Sequence, residues 1–186
     1  MSPPIKSKGP PVHILFVCTG NICRSPSAER LAIAYAATNG IPDFTASSAG
    51  TRAVIGHPIH RDAARILGQL GADASDFAAR QLKPRIASDA DLVITMTTEQ
   101  RDVSLEVAPR QMKRTFTLIE ASRLAAEFGA ETISDLAAMR PYLYANGPSD
   151  IKDPIGQRAE VFASVGSQIA DLLPPILELC RRSVRA

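Results

Sequence analysis

Apolar residues first gather at Val12–Val17, a run broken only by His13. A short apolar block without alternation predicts a strand buried on both faces, as in parallel sheets. Pro26 to Thr38 then reads as a helix stopped by Asn39-Gly40, with Ser25 as its N-cap and Pro26 as a favoured first residue. Phe44 to Ser48 is a short strand. Pro58 to Leu70 is an amphipathic helix ended by Gly71, with Ala63, Ala64, Ile66, Leu67 and Leu70 as its buried face. Leu92 to Met96 predicts a further core strand, Thr98 to Val107 the helix after it, and Phe116 to Leu118 a brief fourth strand. The final helix should start near Ala159 and run to Pro174-Pro175, which must break or kink it before Ile176 to Arg182.

Helices and strands that alternate in this way predict an α/β fold: one four-stranded parallel sheet with helices on both faces. In such sheets ligands bind beyond the carboxyl ends of the strands, and the loop after Val17 lies there. The 186 residues, 45% of them hydrophobic, suffice for one domain with a sizeable core. No internal repeat is present. The net charge of +2 is too small to imply nucleic acid, although a slight basic excess suits an anionic ligand. The basic stretch Arg181-Arg182-Ser183-Val184-Arg185 complements a helix C-terminus. No apolar run has spanning length, so no membrane insertion is expected. Residues 1–11 are Pro-rich and polar, which predicts a disordered arm rather than a signal peptide and a cytoplasmic location where thiols stay reduced.

The chemistry lies in Val17-Cys18-Thr19-Gly20-Asn21-Ile22-Cys23-Arg24-Ser25-Pro26, between the first strand and its helix. A short loop there can turn successive N–H groups towards one centre, with Gly20 supplying dihedral freedom and the helix N-terminus adding its positive dipole. Arg24 offers a planar fork for two phosphate oxygens. The same positive field predicts that Cys18 is a thiolate nucleophile at neutral pH. A magnesium-nucleotide loop is excluded, because GxxxxGK[ST] is absent. Expelling an alkoxide or phenoxide needs a proton, and Asp153, held extended before Pro154, is a candidate donor. Ile151 and Ile155 are expected to wall it from water. His57 and His60 are expected to be solvated or substrate-facing, and no metal or other cofactor is required.

The C-x5-R-S motif at Cys18–Ser25, within CTGNICRSPSAE to Glu29, resembles the signature of the low-molecular-weight protein tyrosine phosphatases. Ser47-Ser48-Ala49-Gly50-Thr51 and Ile151-Lys152-Asp153-Pro154-Ile155-Gly156 resemble two further family segments in the same order, and similarity runs from about Val12 to about Leu177. The resemblance implies a four-stranded parallel sheet and a metal-independent phosphatase working through a cysteinyl-phosphate. Cys18 would be its nucleophile, Arg24 its phosphate ligand and Asp153 its acid and then base. It also implies that Thr19, Gly20, Asn21, Ile22, Cys23 and Ser25 form the phosphate loop, that Ser48 bonds Asn21, and that Ser25 eases departure of the sulfur. Substrates would be phosphotyrosine proteins, with a tyrosine kinase as a further partner. Ile22 at the mouth suits an aromatic ring, whereas the branch acting on phosphoarginine carries threonine there. Family members with a second loop cysteine can form a protective disulfide, which would pair Cys18 with Cys23.

Three other readings stay open beside this one. They are a phosphoarginine or metabolite phosphatase, an arsenate reductase, which the lack of cysteines between Cys23 and Cys180 disfavours, and a phosphate-binding module. Two departures bear on substrate. The stretch after Thr51 is Arg52-Ala53-Val54-Ile55-Gly56, and Ile155-Gly156 follow Asp153-Pro154, where many members have aromatics. Arg52, Val54 and Ile155 are therefore the expected pocket wall. The segment 120–147 is longer than usual, with Leu124, Phe128, Leu136 and Met139 at helical spacing and Tyr142 and Tyr144 beyond them. It could cap the pocket, dock a partner or be plain surface helix.

Overall fold

The computed structural model describes residues 11–143, 147 and 149–185, so the proposed arm before Pro11 and the Tyr144 position fall outside the described residues. Four strands, β1 (Val12–Cys18), β2 (Phe44–Gly50), β3 (Leu92–Thr95) and β4 (Thr115–Thr117), form one sheet in the order β2-β1-β3-β4. Every pairing is parallel. Val17 sits beside Ala49 on one side and Thr95 on the other, so β1 is central and its end lies at the middle of one sheet edge.

Alternation along β1 explains the two cores. Ile14, Phe16 and Cys18 point to one face, where they pack with residues of α1 (Arg24–Thr38), α2 (Arg61–Gln69), α5 (Leu118–Ala126) and α7 (Ala159–Arg185). Leu15 and Val17 point to the other, against Ala87 of α3 (Pro84–Ser88), Ala90, Val93, and Val107 at the end of α4 (Thr98–Val107). Both faces being covered accounts for the unbroken apolar run at the start of the chain.

Several boundaries differ from the sequence expectation. Helix α1 starts at Arg24, with Cys23 at the cap position and no side-chain cap, so Ser25 is inside the helix. Its hydroxyl is taken by Asn21 and Cys18 instead. Helix α2 starts at Arg61 rather than Pro58, because the His60 ring caps it by accepting the Asp62 N–H at 3.3 Å. Helix α7 is continuous through Pro174 and Pro175. Each proline deletes one helical hydrogen bond, but Leu173, Ile176, Leu177 and Cys180 are buried on either side and hold the axis to the core. The segment 120–147 forms α5, a seven-residue helix α6 (Ile133–Met139) and a 3-10 turn at Arg140–Tyr142. Leu124 and Leu136 are buried in the main core, and no described residue of that segment lines the cleft at the end of β1.

Candidate active site

Cys18 ends β1, and the five residues to Cys23 curl before α1 begins. The curl is fixed from outside. The carbonyls of Cys18, Thr19, Gly20 and Ile22 accept the N–H groups of Thr51, Arg52, Val54 and His60 at 2.9, 2.9, 2.9 and 2.7 Å. Four of the loop's carbonyls are thus engaged by the segment 51–60. Among the described residues, no protein acceptor meets the N–H groups of Thr19 through Cys23. Unpaired backbone donors gathered at a helix N-terminus are the physical definition of an oxyanion cradle.

Asn21 makes the curl possible. It adopts φ 56°, a left-handed conformation that asparagine tolerates better than most residues, and it is fully buried. Its Nδ2 donates to Ser25 Oγ at 3.0 Å and Ser48 Oγ at 2.9 Å, while its Oδ1 accepts the Arg80 N–H at 2.9 Å. Ser48 in turn donates to Glu29 Oε2 at 2.6 Å, and Arg80 Nε donates to the Ser48 carbonyl at 2.8 Å. Ser25 Oγ lies 3.0 Å from Cys18 Sγ. The amide nitrogen of Asn21 can only donate, so Ser25 accepts from it and has its own proton to offer the sulfur. An unbroken chain of hydrogen bonds therefore runs from Glu29 to Cys18. Burial raises the Glu29 carboxyl above its ordinary 4.5, opposed by the Ser48 hydrogen bond and the charges of Arg30 and Arg80.

Arg24 is buried, and its fork spans two groups of the distant Asp153 segment: the Ile151 carbonyl at 2.9 Å and Asp153 Oδ2 at 2.8 Å. Ile151 N–H donates to the Met96 carbonyl at 2.8 Å, tying that segment to the end of β3. The wall expected around Asp153 is not there. Ile151 is buried, but Ile155 is 41% exposed and the Asp153 side chain 49% exposed, because the chain turns tightly at the surface. Asp153 Oδ1 accepts the Ile155 N–H at 3.1 Å, and Gly156 at φ 76° completes the turn.

These groups surround one cleft of about 430 Å³, lined by Cys18, Thr19, Gly20, Ile22, Cys23, Arg24, Arg52, Val54, Asp153 and Ile155. The three expected wall residues, Arg52, Val54 and Ile155, are thus at the rim. Asn21, Ser25 and Ser48 stand behind the loop. Arg80 and Gln100 have no place in the sequence reading, and Glu29 enters it only as the end of the signature string. Gln100 donates from Nε2 to Thr19 Oγ1 at 3.0 Å and accepts the Met96 and Thr97 N–H groups through Oε1, so it clips the loop to the start of α4. Only the capping-box pattern at Thr97 and Gln100 could have flagged it. His60 is not substrate-facing: besides capping α2 it stacks on Phe162 at 4.9 Å. His57 is exposed.

None of the three cysteines is in a disulfide, and burial pushes the Cys23 and Cys180 thiols up to about 12. Among the described residues no cluster of three His, Cys, Asp or Glu side chains could hold a metal ion. No helix among them is long and apolar enough to cross a membrane.

A parallel α/β sheet with a cysteine-based oxyanion loop at the end of its central strand defines the class of cysteine-dependent phosphatases. Residues 13–186 match the family described as low molecular weight phosphotyrosine protein phosphatase, and the chain belongs to that family, a metal-independent group of hydrolases. It is 34% identical over 106 residues to a low molecular weight protein-tyrosine-phosphatase of Acinetobacter johnsonii, covering 57% of this chain and 71% of that one. It is 30% identical over 168 residues to a protein-arginine-phosphatase of Geobacillus stearothermophilus, covering 90% and 95%. The crystal structure of the low molecular weight protein tyrosine phosphatase from T. tengcongensis superposes with a TM-score of 0.72 at 28% identity, over 90% of this chain and 98% of that one.

Proposed function

We propose that this protein hydrolyses phosphotyrosine in proteins, with Cys18 as nucleophile, Arg24 as phosphate ligand and Asp153 as proton donor and acceptor. The observation that carries the reading is the run of loop N–H groups from Thr19 to Cys23 that meet no acceptor among the described residues, in a loop that lines one cleft with Cys18 and Arg24.

In the first step the phosphoryl oxygens occupy those N–H groups and the Arg24 fork. The Cys18 sulfur attacks phosphorus, the bond to the phenolic oxygen breaks, and Asp153 gives that oxygen its proton. In the second step the Asp153 carboxylate takes a proton from water. The water oxygen bonds phosphorus, and the sulfur leaves with the Ser25 hydroxyl donating to it. Because Arg24 holds both the phosphate position and Asp153, one side chain sets the distance between the cradle and the acid. Ile22, Val54 and Ile155 give the leaving group aliphatic walls.

The relative that covers 90% of this chain favours a second reading, phosphoarginine. Arg52 on the rim opposes it, since a guanidinium leaving group would meet a like charge. Phosphate release from a phosphotyrosine peptide and from phosphoarginine, each with the protein and its Cys18→Ser variant, separates the two. Turnover of the first alone, lost in the variant, is the expected result, and turnover of the second alone would overturn it.

A further inference from the structure

A second cleft, larger than the one at Cys18, lies at the opposite end of the sheet. It measures about 680 Å³ and is lined by Asp91, Met112, Lys113, Arg114, Ile133, Ser134, Ala137, Ala138 and Arg140. Asp91 immediately precedes β3 and Arg114 immediately precedes β4, so the cleft sits where those strands begin, whereas the cysteine loop sits where β1 ends. One wall is α6 with Arg140 behind it, supplied by the extra-long segment that plays no part in the cleft at Cys18.

The charge of this cleft is unbalanced. Lys113, Arg114 and Arg140 stand against one carboxylate, Asp91, whose Oδ2 already accepts the His13 N–H at 2.9 Å. Among the described residues, none of the three cations has a carboxylate in ion-pair range. Glu120, the acid whose charge reaches Arg140, is committed to Arg101 at 2.6 Å. Arg140 is held rigidly nonetheless. It donates to the Met112 carbonyl at 3.1 Å and to the Thr115 carbonyl, and its guanidinium lies 3.9 Å over the Phe116 ring, leaving its buried Nε without an acceptor. Beside these charged groups and Ser134, the wall is apolar, made by Met112, Ile133, Ala137 and Ala138, and Met112 is 60% exposed. A preformed cleft of this volume, apolar with a few convergent charges of one sign, is the usual form of a small-molecule site.

We propose that this cleft is a second ligand site, taking a small amphipathic anion: an apolar body that carries one or two carboxylate, sulfonate or phosphate groups. Its position makes it separate from the catalytic loop, and the proposal does not depend on which phosphoester that loop hydrolyses.

The probe is 8-anilinonaphthalene-1-sulfonate, titrated by fluorescence into the protein with orthovanadate present to fill the catalytic loop. One saturable site is expected, weakened at least tenfold by the paired charge reversal Lys113→Glu and Arg114→Glu, and also by Ala138→Phe, which fills the cleft without changing charge. Uncharged N-phenyl-1-naphthylamine should bind at least tenfold more weakly. Both altered proteins should hydrolyse p-nitrophenyl phosphate at the original rate, which shows that they fold. Absence of saturable binding, displacement of the probe by vanadate, full affinity in the charge-reversed protein, or equal binding of the uncharged analogue would each overturn the proposal.

Discussion

Replacing Asn21 by alanine and, separately, by glycine divides its contribution into two measurable parts. Alanine at φ 56° carries a left-handed backbone penalty of roughly 1–2 kcal/mol. It also deprives the Arg80 N–H, in a part-buried hydrogen bond, of its acceptor, and a donor left unsatisfied costs about 1–3 kcal/mol. Asn21→Ala should therefore lose about 2–5 kcal/mol in all. Glycine removes the same hydrogen bonds but adopts this φ freely, against an added unfolded-state entropy of about 0.4–1 kcal/mol. Asn21→Gly should accordingly be the more stable of the two by roughly 1 kcal/mol, a shift of about 0.5 M in the urea midpoint. Both variants free Ser25 and the loop from their common tether. A displacement of ~1 Å at the reacting atoms costs on the order of 100-fold, so kcat/KM on p-nitrophenyl phosphate should fall by about that factor in each. Urea melts with steady-state rates on the same preparations make the test. An alanine variant as stable as the glycine variant, or either variant within threefold of the original kcat/KM, refutes the account of how this loop is held.

Four further outcomes follow from the same geometry. Gly50→Ala places a Cβ 2.5 Å from the Thr19 carbonyl oxygen and 3.0 Å from Ala53, so the loop backbone must move; a loss of about 1–3 kcal/mol in chemical denaturation is expected together with reduced kcat. Asp153→Asn should slow hydrolysis of alkyl phosphates far more than that of p-nitrophenyl phosphate, whose leaving group needs little protonation, and equal losses would remove Asp153 from the acid role. Glu29 has its folded pKa raised, so the contribution of its titration to stability is complete below 4.5 and is lost as pH rises through the folded value. In Glu29→Gln the urea midpoint should lack that decline above pH 4.5, and parallel profiles for the two proteins would contradict the assignment. Iodoacetate at pH 7.5 should label Cys18, in competition with phosphate, and leave Cys23 and Cys180 unmodified, because burial pushes both up to about 12. Peptide mass mapping reads the result, and comparable labelling of Cys23 would count against it.

The parts of this molecule legible in the sequence are those where one residue type has few other uses. The apolar run at Val12–Val17 could only be a strand covered on both faces, and the cysteine, glycine and arginine behind it announce an anion loop. What stayed hidden depends on contacts between distant segments. Glu29 looks like an ordinary helical surface residue until Ser48, from the next strand, brings its hydroxyl to it. Arg80 lies in a stretch without a repeating pattern, yet its backbone N–H fixes Asn21. The start of α1 differs from its sequence signal because the hydroxyl of Ser25, a good cap by residue type, is used by Cys18 and Asn21. The prolines of α7 mislead for the opposite reason. Local propensity says break, and burial of the residues on both sides overrides it.

The bond between Arg24 and Asp153 joins residues 129 positions apart, which sets an order of events during synthesis. The ribosome makes the cysteine loop before it makes Asp153. At ~5–20 residues per second the delay between them is roughly 6 to 26 s. Throughout that interval the nascent chain holds a thiol-bearing loop without the carboxylate that would complete a catalytic cycle. With the roles proposed above, hydrolytic competence has to wait until the segment holding Ile151 and Asp153 docks at the end of β3 and reaches Arg24.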